Sequence, residues 1–297
     1  MNTQPEVAED DEQTELNRLL EEALDPVAPP LDRRRHLKSR LLARAAESVA
    51  EQGGLLTIRA KSGAWRRIAK GIRVKPLWRG PAGNSVLIEL AAGASLPVHR
   101  HRWTEEGIVL RGRLQEGDLD LGPGDYQVSP PGSRHGRIRS REGALAYLRG
   151  TALGHGPSVF WELLGGLPPV GGVQARIERA GAKGWEPMAP GAWRKPLWTD
   201  GKLASYFCRL DAGTRLEGHP HPEDEECMML EGDLFLGDLL LRAGDFHLAP
   251  AGSLHGPVFT DVGALLFVRG AADDGKPPAA QATPPSKSCQ PSGKVLQ

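Results

Sequence analysis

Residues 93–112 of the chain read GASLPVHRHRWTEEGIVLRG, and residues 213–232 repeat the same pattern as GTRLEGHPHPEDEECMMLEG. Each stretch has two histidines one residue apart, then a glutamate four positions after the second histidine, with a glycine at either end. Alternate side chains of a strand point to the same face, so we expect His99 and His101 to look to one side, about 7 Å apart along the strand. The glutamate begins the next strand after a short turn, where it can face the same point.

A further histidine follows each of these stretches. Residues 124–135 read GDYQVSPPGSRH, and residues 244–255 read GDFHLAPAGSLH. Proline and glycine before the histidine favour a tight turn that aims it back toward the first pair. Three imidazoles and one carboxylate suit Zn, Fe, Mn, Ni or Cu and leave positions open on an octahedral metal. The candidate metal ligands are His99, His101, Glu105 and His135 in the first set and His219, His221, Glu225 and His255 in the second.

The two stretches belong to a longer internal repeat with an offset of 120 residues and no gap. The string KPLW occurs at 75–78 and again at 195–198, and Trp65 matches Trp185. Such rare residue types in one register indicate two domains of the same fold.

Each repeat has the pattern of an all-β domain. Short apolar or alternating runs such as SVLIEL and EGIVLRG are separated by glycine, proline and aspartate turns, which is typical of a sandwich or barrel. The high glycine and proline counts, 37 and 25, agree with many turns. The predicted organisation is a helical N-terminal segment (1–52), a first β domain (53–152), a linker (153–180), a second β domain (181–272) and a disordered tail (273–297).

The motifs GX5HXHX3EX6G and GX5PXGX2H, present in both halves, are similar to those of the cupin superfamily, so the chain resembles a bicupin. The strings KPLW, HRHRWTEEGIVLRG and PPGSRHG are similar to the ChrR-like cupins, the C-terminal sensing domains of zinc-binding anti-sigma factors. The resemblance implies two tandem jelly-roll barrels, each with one divalent transition metal held by the ligands named above. Zinc or iron is expected first, with manganese, nickel and copper as alternatives.

The stretch LLEEALDPVAPPLDRRRHLKSRLLARAAE also resembles the segment that precedes the cupin in such anti-sigma factors. The resemblance implies a sigma-factor-like protein partner bound through residues 1–52. The HxxxCxxC-type zinc motif of that family is absent, because the first cysteine of the chain is Cys208. The basic residues of the second predicted helix form either a docking surface or a solvated face; they are Arg33, Arg34, Arg35, Lys38, Arg40 and Arg44.

Further residues are candidates for the lining of a pocket inside the barrels. Cys227 lies two positions after Glu225, so strand alternation would place it on the ligand face. The predicted pocket residues are Trp103, Tyr126, Cys227, Met229 and Phe246, and no catalytic residue is assigned. The three remaining histidines, His36, His155 and His247, are interpreted as having no functional role.

Three classes of function stay open. The first is a regulatory metal-binding sensor, and the second is an Fe(II)-dependent or other metal-dependent dioxygenase that acts on a small organic substrate. The third is a cupin without catalytic activity that binds a small ligand or uses metal for stability. Fold alone does not decide among them.

The composition limits the binding partners and the cellular compartment that we expect for the protein. Lysine plus arginine equals aspartate plus glutamate at 37 each, so no global basic field favours nucleic acid. No apolar run has the roughly 18–20 residues of a membrane helix. The acidic N-terminus lacks the features of a signal peptide, and three cysteines without close spacing predict no disulfide framework. We therefore expect a cytoplasmic protein that binds neither nucleic acid nor membrane.

Overall fold

The computed structural model describes residue 18 and residues 29–51, 53–153, 175–181 and 183–272. The predicted tail (273–297), most of the predicted linker and the first predicted helix lie outside the described residues, as does His155.

One helix precedes the strands in this part of the chain. Helix α1 spans Leu31–Glu51 and confirms the second helical pattern of the N-terminal segment. It begins directly after Pro30, whose carbonyl accepts from the Arg34 amide at 2.8 Å, and Asp32 lies in its first turn, where a negative charge is favourable. Its apolar residues Leu37 and Leu41 are exposed. No helix among the described residues is long and apolar enough to cross a membrane.

The first repeat forms short strands joined by turns. They are β1 (Leu56–Ile58), β2 (Arg66–Ala69), β3 (Ile72–Gly80), β4 (Gly83–Leu90), β5 (Ser95–Leu96), β6 (His99–Arg100), β7 (Glu105–Gly112), β8 (Leu114–Glu116), β9 (Leu119–Leu121), β10 (Tyr126–Ser129), β11 (Arg134–His135), β12 (Ile138–Arg139) and β13 (Ala144–Thr151).

The second repeat follows the same plan. Its strands are β14 (Arg176–Glu178), β15 (Glu186–Ala189), β16 (Ala192–Thr199), β17 (Leu203–Leu210), β18 (Arg215–Leu216), β19 (Glu225–Leu236), β20 (Leu239–Arg242), β21 (Phe246–Ala249), β22 (Val258–Phe259) and β23 (Ala264–Ala271).

Each repeat forms most of one barrel, made of a large and a small antiparallel layer. The large sheet of the first barrel has the order β14-β10-β7-β13-β4-β3-β2, and β5-β12-β8-β9 forms the small layer with the pair β11-β6. The large sheet of the second barrel has the equivalent order β1-β21-β19-β23-β17-β16-β15, and β18, β20 and β22 complete its small layer. The predicted all-β fold with two tandem barrels is confirmed.

The first strand of each repeat joins the sheet of the other repeat. Strand β1 pairs with β21, where Thr57 lies opposite His247, and β14 pairs with β10, where Ile177 lies opposite Gln127. Residues 56–58, predicted for the first domain, thus extend the second sheet, and residues 176–178 of the predicted linker extend the first. The sequence could not reveal this exchange, because the two repeats offer nearly equivalent sheet edges and alternation does not specify the partner strand.

A shared apolar core joins the two large sheets. Its fully buried members come in six pairs at the 120-residue offset: Leu77 and Leu197, Leu87 and Phe207, Ile108 and Met228, Tyr126 and Phe246, Val128 and Leu248, Tyr147 and Phe267. Aromatic rings meet across the repeats, with centroids 6.4 Å apart for Tyr126 and Phe207 and 6.2 Å for Tyr147 and Phe246. The strands that carry these residues therefore have one face in the shared core and the other toward a barrel interior.

The glycine at the end of each long motif has a steric cause. Gly112 and Gly232 have φ of 72° and 75°, in the left-handed region that side chains rarely adopt. A Cβ built on them would come within 2.0 and 1.8 Å of the carbonyl oxygens of Gly143 and Gly263. Only glycine lets the ligand-bearing strand approach the neighbouring turn here.

Candidate metal centres

The first predicted ligand set converges inside the first barrel. Strand β6 carries His99, β11 places His135 directly opposite it, and β7 begins at Glu105. Ring centroids are 5.0 Å apart for His99 and His101, 5.3 Å for His99 and His135, and 4.7 Å for His101 and His135. Nδ1 of His101 lies 3.6 Å from Oε2 of Glu105.

The second predicted set converges in the same way. The centroid distances are 4.9 Å for His219 and His221, 5.6 Å for His219 and His255, and 4.3 Å for His221 and His255. The Glu225 carboxylate lies 3.6 Å from Nε2 of His221 and 3.9 Å from both Nε2 of His219 and Nδ1 of His255. The sequence motif thus brings together all four residues in each barrel.

Both sets fit a metal ion. Within each set, one ligand atom from every residue lies within 4.8 Å of the others. Both ring nitrogens of His101 and Nε2 of His221 are buried without a hydrogen-bond partner, a costly arrangement that an ion would relieve by binding the lone pair of one nitrogen in each ring. Three imidazoles and a carboxylate are also a donor set that first-row transition metals accept. Each barrel can therefore hold one divalent transition metal.

The protonation states also suit a cation. Desolvation lowers the pKa of His101 to about 4 and that of His255 to about 3, so these imidazoles are neutral near pH 7. Burial alone would raise the pKa of Glu225, but the close approach of His219, His221 and His255 outweighs it and holds the pKa well below its usual value. The pKa of Glu105 is also lowered, because the attraction of its neighbouring histidines outweighs the effect of burial. Neutral imidazoles and an ionised carboxylate are the forms that bind metal.

The last histidine of the first set is held from behind by a second carboxylate. Nδ1 of His135 donates to Oε2 of Glu116 at 2.8 Å, and the Gly136 amide donates to the other oxygen of Glu116. Nε2 of His135 lies 3.2 Å from the Ser129 hydroxyl. Burial opposes a charge on His135, yet the contact with Glu116 raises its pKa. Sequence reasoning did not single out Glu116.

The matching histidine of the second set is held by another histidine instead. Nε2 of His247 lies 3.1 Å from Nε2 of His255, and Nδ1 of His247 lies 2.9 Å from the Thr57 hydroxyl. The interpretation of His247 as a residue without a role is therefore corrected, since it is fully buried against a candidate ligand. Strand alternation could have indicated this position of His247. Phe246 and Leu248 face the shared core, so His247 between them faces the barrel interior.

The predicted pocket residues divide among three locations. Cys227 and Met229 belong to the buried core of the second barrel, with Sγ of Cys227 3.7 Å from Oε1 of Glu225. Tyr126 and Phe246 lie in the shared core between the sheets, which differs from the predicted lining because alternation points them away from the ligands. Trp103 is half-buried beside the Arg102 guanidinium, whose carbon lies 5.0 Å from its ring centroid.

Each barrel has a cavity that reaches its ligand set. The first has a volume of about 190 Å³, touches His99, Glu105 and His135, and has a mostly aliphatic wall. The second has a volume of about 340 Å³ and touches the second set, and its wall includes Cys208 and Cys227. Both cavities are large enough for a small molecule beside the metal position.

Comparison with known proteins agrees with this architecture. The sequence model of the ChrR Cupin-like domain matches twice, at residues 54–153 and 174–272. A putative dioxygenase from Nostoc punctiforme is similar in structure, with a TM-score of 0.55 at 16% identity over 72% of this chain and 81% of that chain. Oxalate decarboxylase matches with a TM-score of 0.49 at 19% identity over 72% and 76%. No curated protein sequence matches the chain.

Proposed function

The chain belongs to the ChrR Cupin-like domain family, and on this premise we propose that it is a metal-binding regulatory sensor. In this proposal each barrel holds a divalent transition metal, zinc or iron, and the N-terminal segment 1–52 binds a sigma-factor-like protein partner. The cytoplasmic location expected for such a protein agrees with Cys208 and Cys227, which are free thiols in the structure.

One observation supports the sensor proposal more than any other. The strand that follows the N-terminal helix in the sequence contacts a residue beside the second metal site. Strand β1 follows α1 in the chain and supplies Thr57, whose hydroxyl contacts His247, which in turn contacts the ligand His255. The hydrogen bonds from the second site thus reach strand β1, which follows in the chain the segment that would hold the partner. The matching strand β14 offers Ile177, which has no hydroxyl.

The exposed helix supports the partner claim. Leu37 and Leu41 are 41% and 67% exposed, and the basic residues of the helix are exposed beside them. A helix that presents apolar and basic side chains together fits an amphipathic, acidic protein surface. The absent zinc motif means that this contact would not use the zinc-bound fold of the family's anti-sigma domain.

The sensor proposal is tested by capturing partners from cell extract with the full chain and with a chain that lacks residues 1–52. We expect a protein that is retained only by the full chain and is released by a chelator or an oxidant. A triple charge reversal, Arg34→Glu, Lys38→Glu and Arg44→Glu, should abolish retention while both metal sites stay filled. A partner that binds the shortened chain equally well would contradict the proposal.

A second candidate is an Fe(II)-dependent dioxygenase that acts on a small organic substrate. The cavity of the first barrel favours it, because an aliphatic chamber touches His99, Glu105 and His135. A bound iron would supply oxygen chemistry, while the wall would orient an apolar substrate and exclude water. Oxygen uptake by the Fe(II)-loaded protein with small diketones or thiols, lost in His101→Ala, would support the enzyme and weigh against the sensor.

A further inference from the structure

The two barrels share their ligands and differ in the residues that hold one of them. At the 120-residue offset, Glu116 of the first repeat corresponds to Leu236, and His247 of the second corresponds to Gln127. His135 therefore rests on a carboxylate, whereas the equivalent His255 rests on a neutral imidazole. We propose that Glu116 and His247 are positioning residues that make the two sites unequal, so that the first barrel binds a divalent transition metal more tightly than the second.

The proton arrangement at the first site supports tight binding. Nδ1–H of His135 donates to Glu116 at 2.8 Å, which fixes the tautomer and places the lone pair on Nε2. An ion would bind this lone pair in place of the Ser129 hydroxyl, which lies 3.2 Å from Nε2. A carboxylate behind a ligating histidine orients the ring and increases its donor strength. Glu116 is only 22% exposed in its side chain, so its negative charge also attracts a cation through a partly dry environment.

At the second site, one arrangement of protons serves a metal. Nδ1 of His255 is the nitrogen nearest Glu225, at 3.9 Å, so its lone pair is free only if the proton lies on Nε2. That proton is donated to Nε2 of His247, and His247 then donates its own Nδ1 proton to the Thr57 hydroxyl. The chain orients His255 but adds no negative charge, and the position that matches Glu116 is the buried Leu236.

Charges at the surface differ between the barrels as well. Arg100 and Arg134 flank ligands of the first site, and Glu217 lies near His219 at the second. All three are exposed, so solvent and salt screen them more than the part-buried Glu116. Comparing variants within one site cancels their contribution.

The test uses full-length chains with a single working site, made by His221→Ala for the first site and His101→Ala for the second. Co(II) is titrated against a competing chelator, and its visible spectrum reports the ligand field of each site. We expect Co(II) to bind the first site at least about tenfold more tightly than the second. Glu116→Leu should lower the Co(II) affinity of the first site by about ten- to a hundredfold. Glu116→Gln, which keeps a hydrogen-bonding group without the charge, should lose less.

Variants of the second site supply the matched controls. His247→Gln introduces the residue found at the equivalent position of the first repeat and should weaken the second site by about tenfold. Thr57→Val should weaken it less, and neither change should alter the first site. The thermal melting of the metal-free chains separates altered binding from altered folding.

The proposal is overturned if Glu116→Leu and Glu116→Gln both leave Co(II) affinity within threefold of the parent, or if the two single-site proteins bind equally. It rests on metal binding and not on the sensor role. If metal removal does not release the partner but the two sites still differ in affinity, only the sensor proposal is contradicted. If none of the chains binds Co(II), the proposal that the barrels bind metal is itself contradicted.

Discussion

His135 and His255 occupy the same position of the two repeats, yet they have different neighbours. In the first barrel the neighbour is Glu116, on strand β8 of the same repeat. In the second it is His247, which is held by Thr57 from the other repeat. The two repeats thus share the candidate ligands and differ in the residues around them, and the exchanged strand β1 connects His247 at the second site to the hydroxyl of Thr57.

The largest expected effect is the loss of one metal ion from one barrel. His101→Ala should empty the first site only, and His221→Ala should empty the second only, because each removes a buried ligand that the other barrel does not share. Elemental analysis should give two ions per chain for the parent and one for each variant. A single substitution that removes both ions would show that the barrels do not bind independently.

These ligands were the part of the site that the sequence could predict. His-x-His spacing and strand alternation are local properties, and the eight candidate ligands that they indicated lie together in two sets in the structure. The contacts around His135 and His255 were not predictable in the same way, because Glu116 reaches His135, and Thr57 reaches His247, through pairing between distant strands. His247 was an intermediate case, since its position between two core residues indicated an inward direction without naming what it would meet.

The shared core contains a second contrast between the repeats. Glu226 accepts hydrogen bonds from Arg149 at 2.9 Å, from the Tyr147 hydroxyl at 3.0 Å and from Ser85, all of the first repeat. The equivalent Glu106 accepts from Tyr126 of its own repeat at 2.7 Å and pairs with Arg269 at 3.1 Å. Both carboxylates immediately follow a metal ligand and point to the opposite face of the strand.

We expect Glu226→Leu to lower the free energy of unfolding by about 3 kcal/mol, because it leaves the mostly buried Arg149 with only the more distant carboxylate of Glu106, at 3.9 Å. Urea unfolding of the metal-free chain measures this loss. The double variant Glu226→Leu with Arg149→Leu should be more stable than the single variant, since no charge is then buried alone. A double variant that is less stable than Glu226→Leu would contradict this account.

The pH dependence of the metal-free protein should differ between the barrels. Desolvation lowers the pKa of His255 to about 3 and that of His247 to about 4 in the second barrel, and that of His101 to about 4 in the first. Between about pH 6.5 and 4, the unfolded chain binds protons at these histidines that the folded chain does not. The stability that these three histidines contribute is therefore largest above about pH 6.5 and falls as the pH decreases through this range.

His247→Gln should reduce the steepness of this fall, because it removes one of the histidines that stays neutral when folded. Urea unfolding at several pH values between 4 and 7.5, with chelator present, gives the slope for parent and variant. His36→Gln is the matched control, as His36 is exposed on α1. Equal slopes for the parent and His247→Gln would show that burial of His247 does not govern the effect.

The smallest expected effect concerns the outer face of the first site. Arg100 and Arg134 lie directly opposite each other on β6 and β11, whereas the second repeat has Pro220 and Leu254 at these positions. Like charges in directly opposed positions are destabilising by a few tenths of a kcal/mol, up to about 1 kcal/mol. We expect Arg134→Leu, which introduces the residue of the second repeat, to raise stability by that amount at low salt. The gain should shrink in about 0.5 M salt, because screening removes the repulsion between exposed charges. Thermal melting at both salt concentrations measures it, and a gain that does not depend on salt would assign the effect to packing instead of charge.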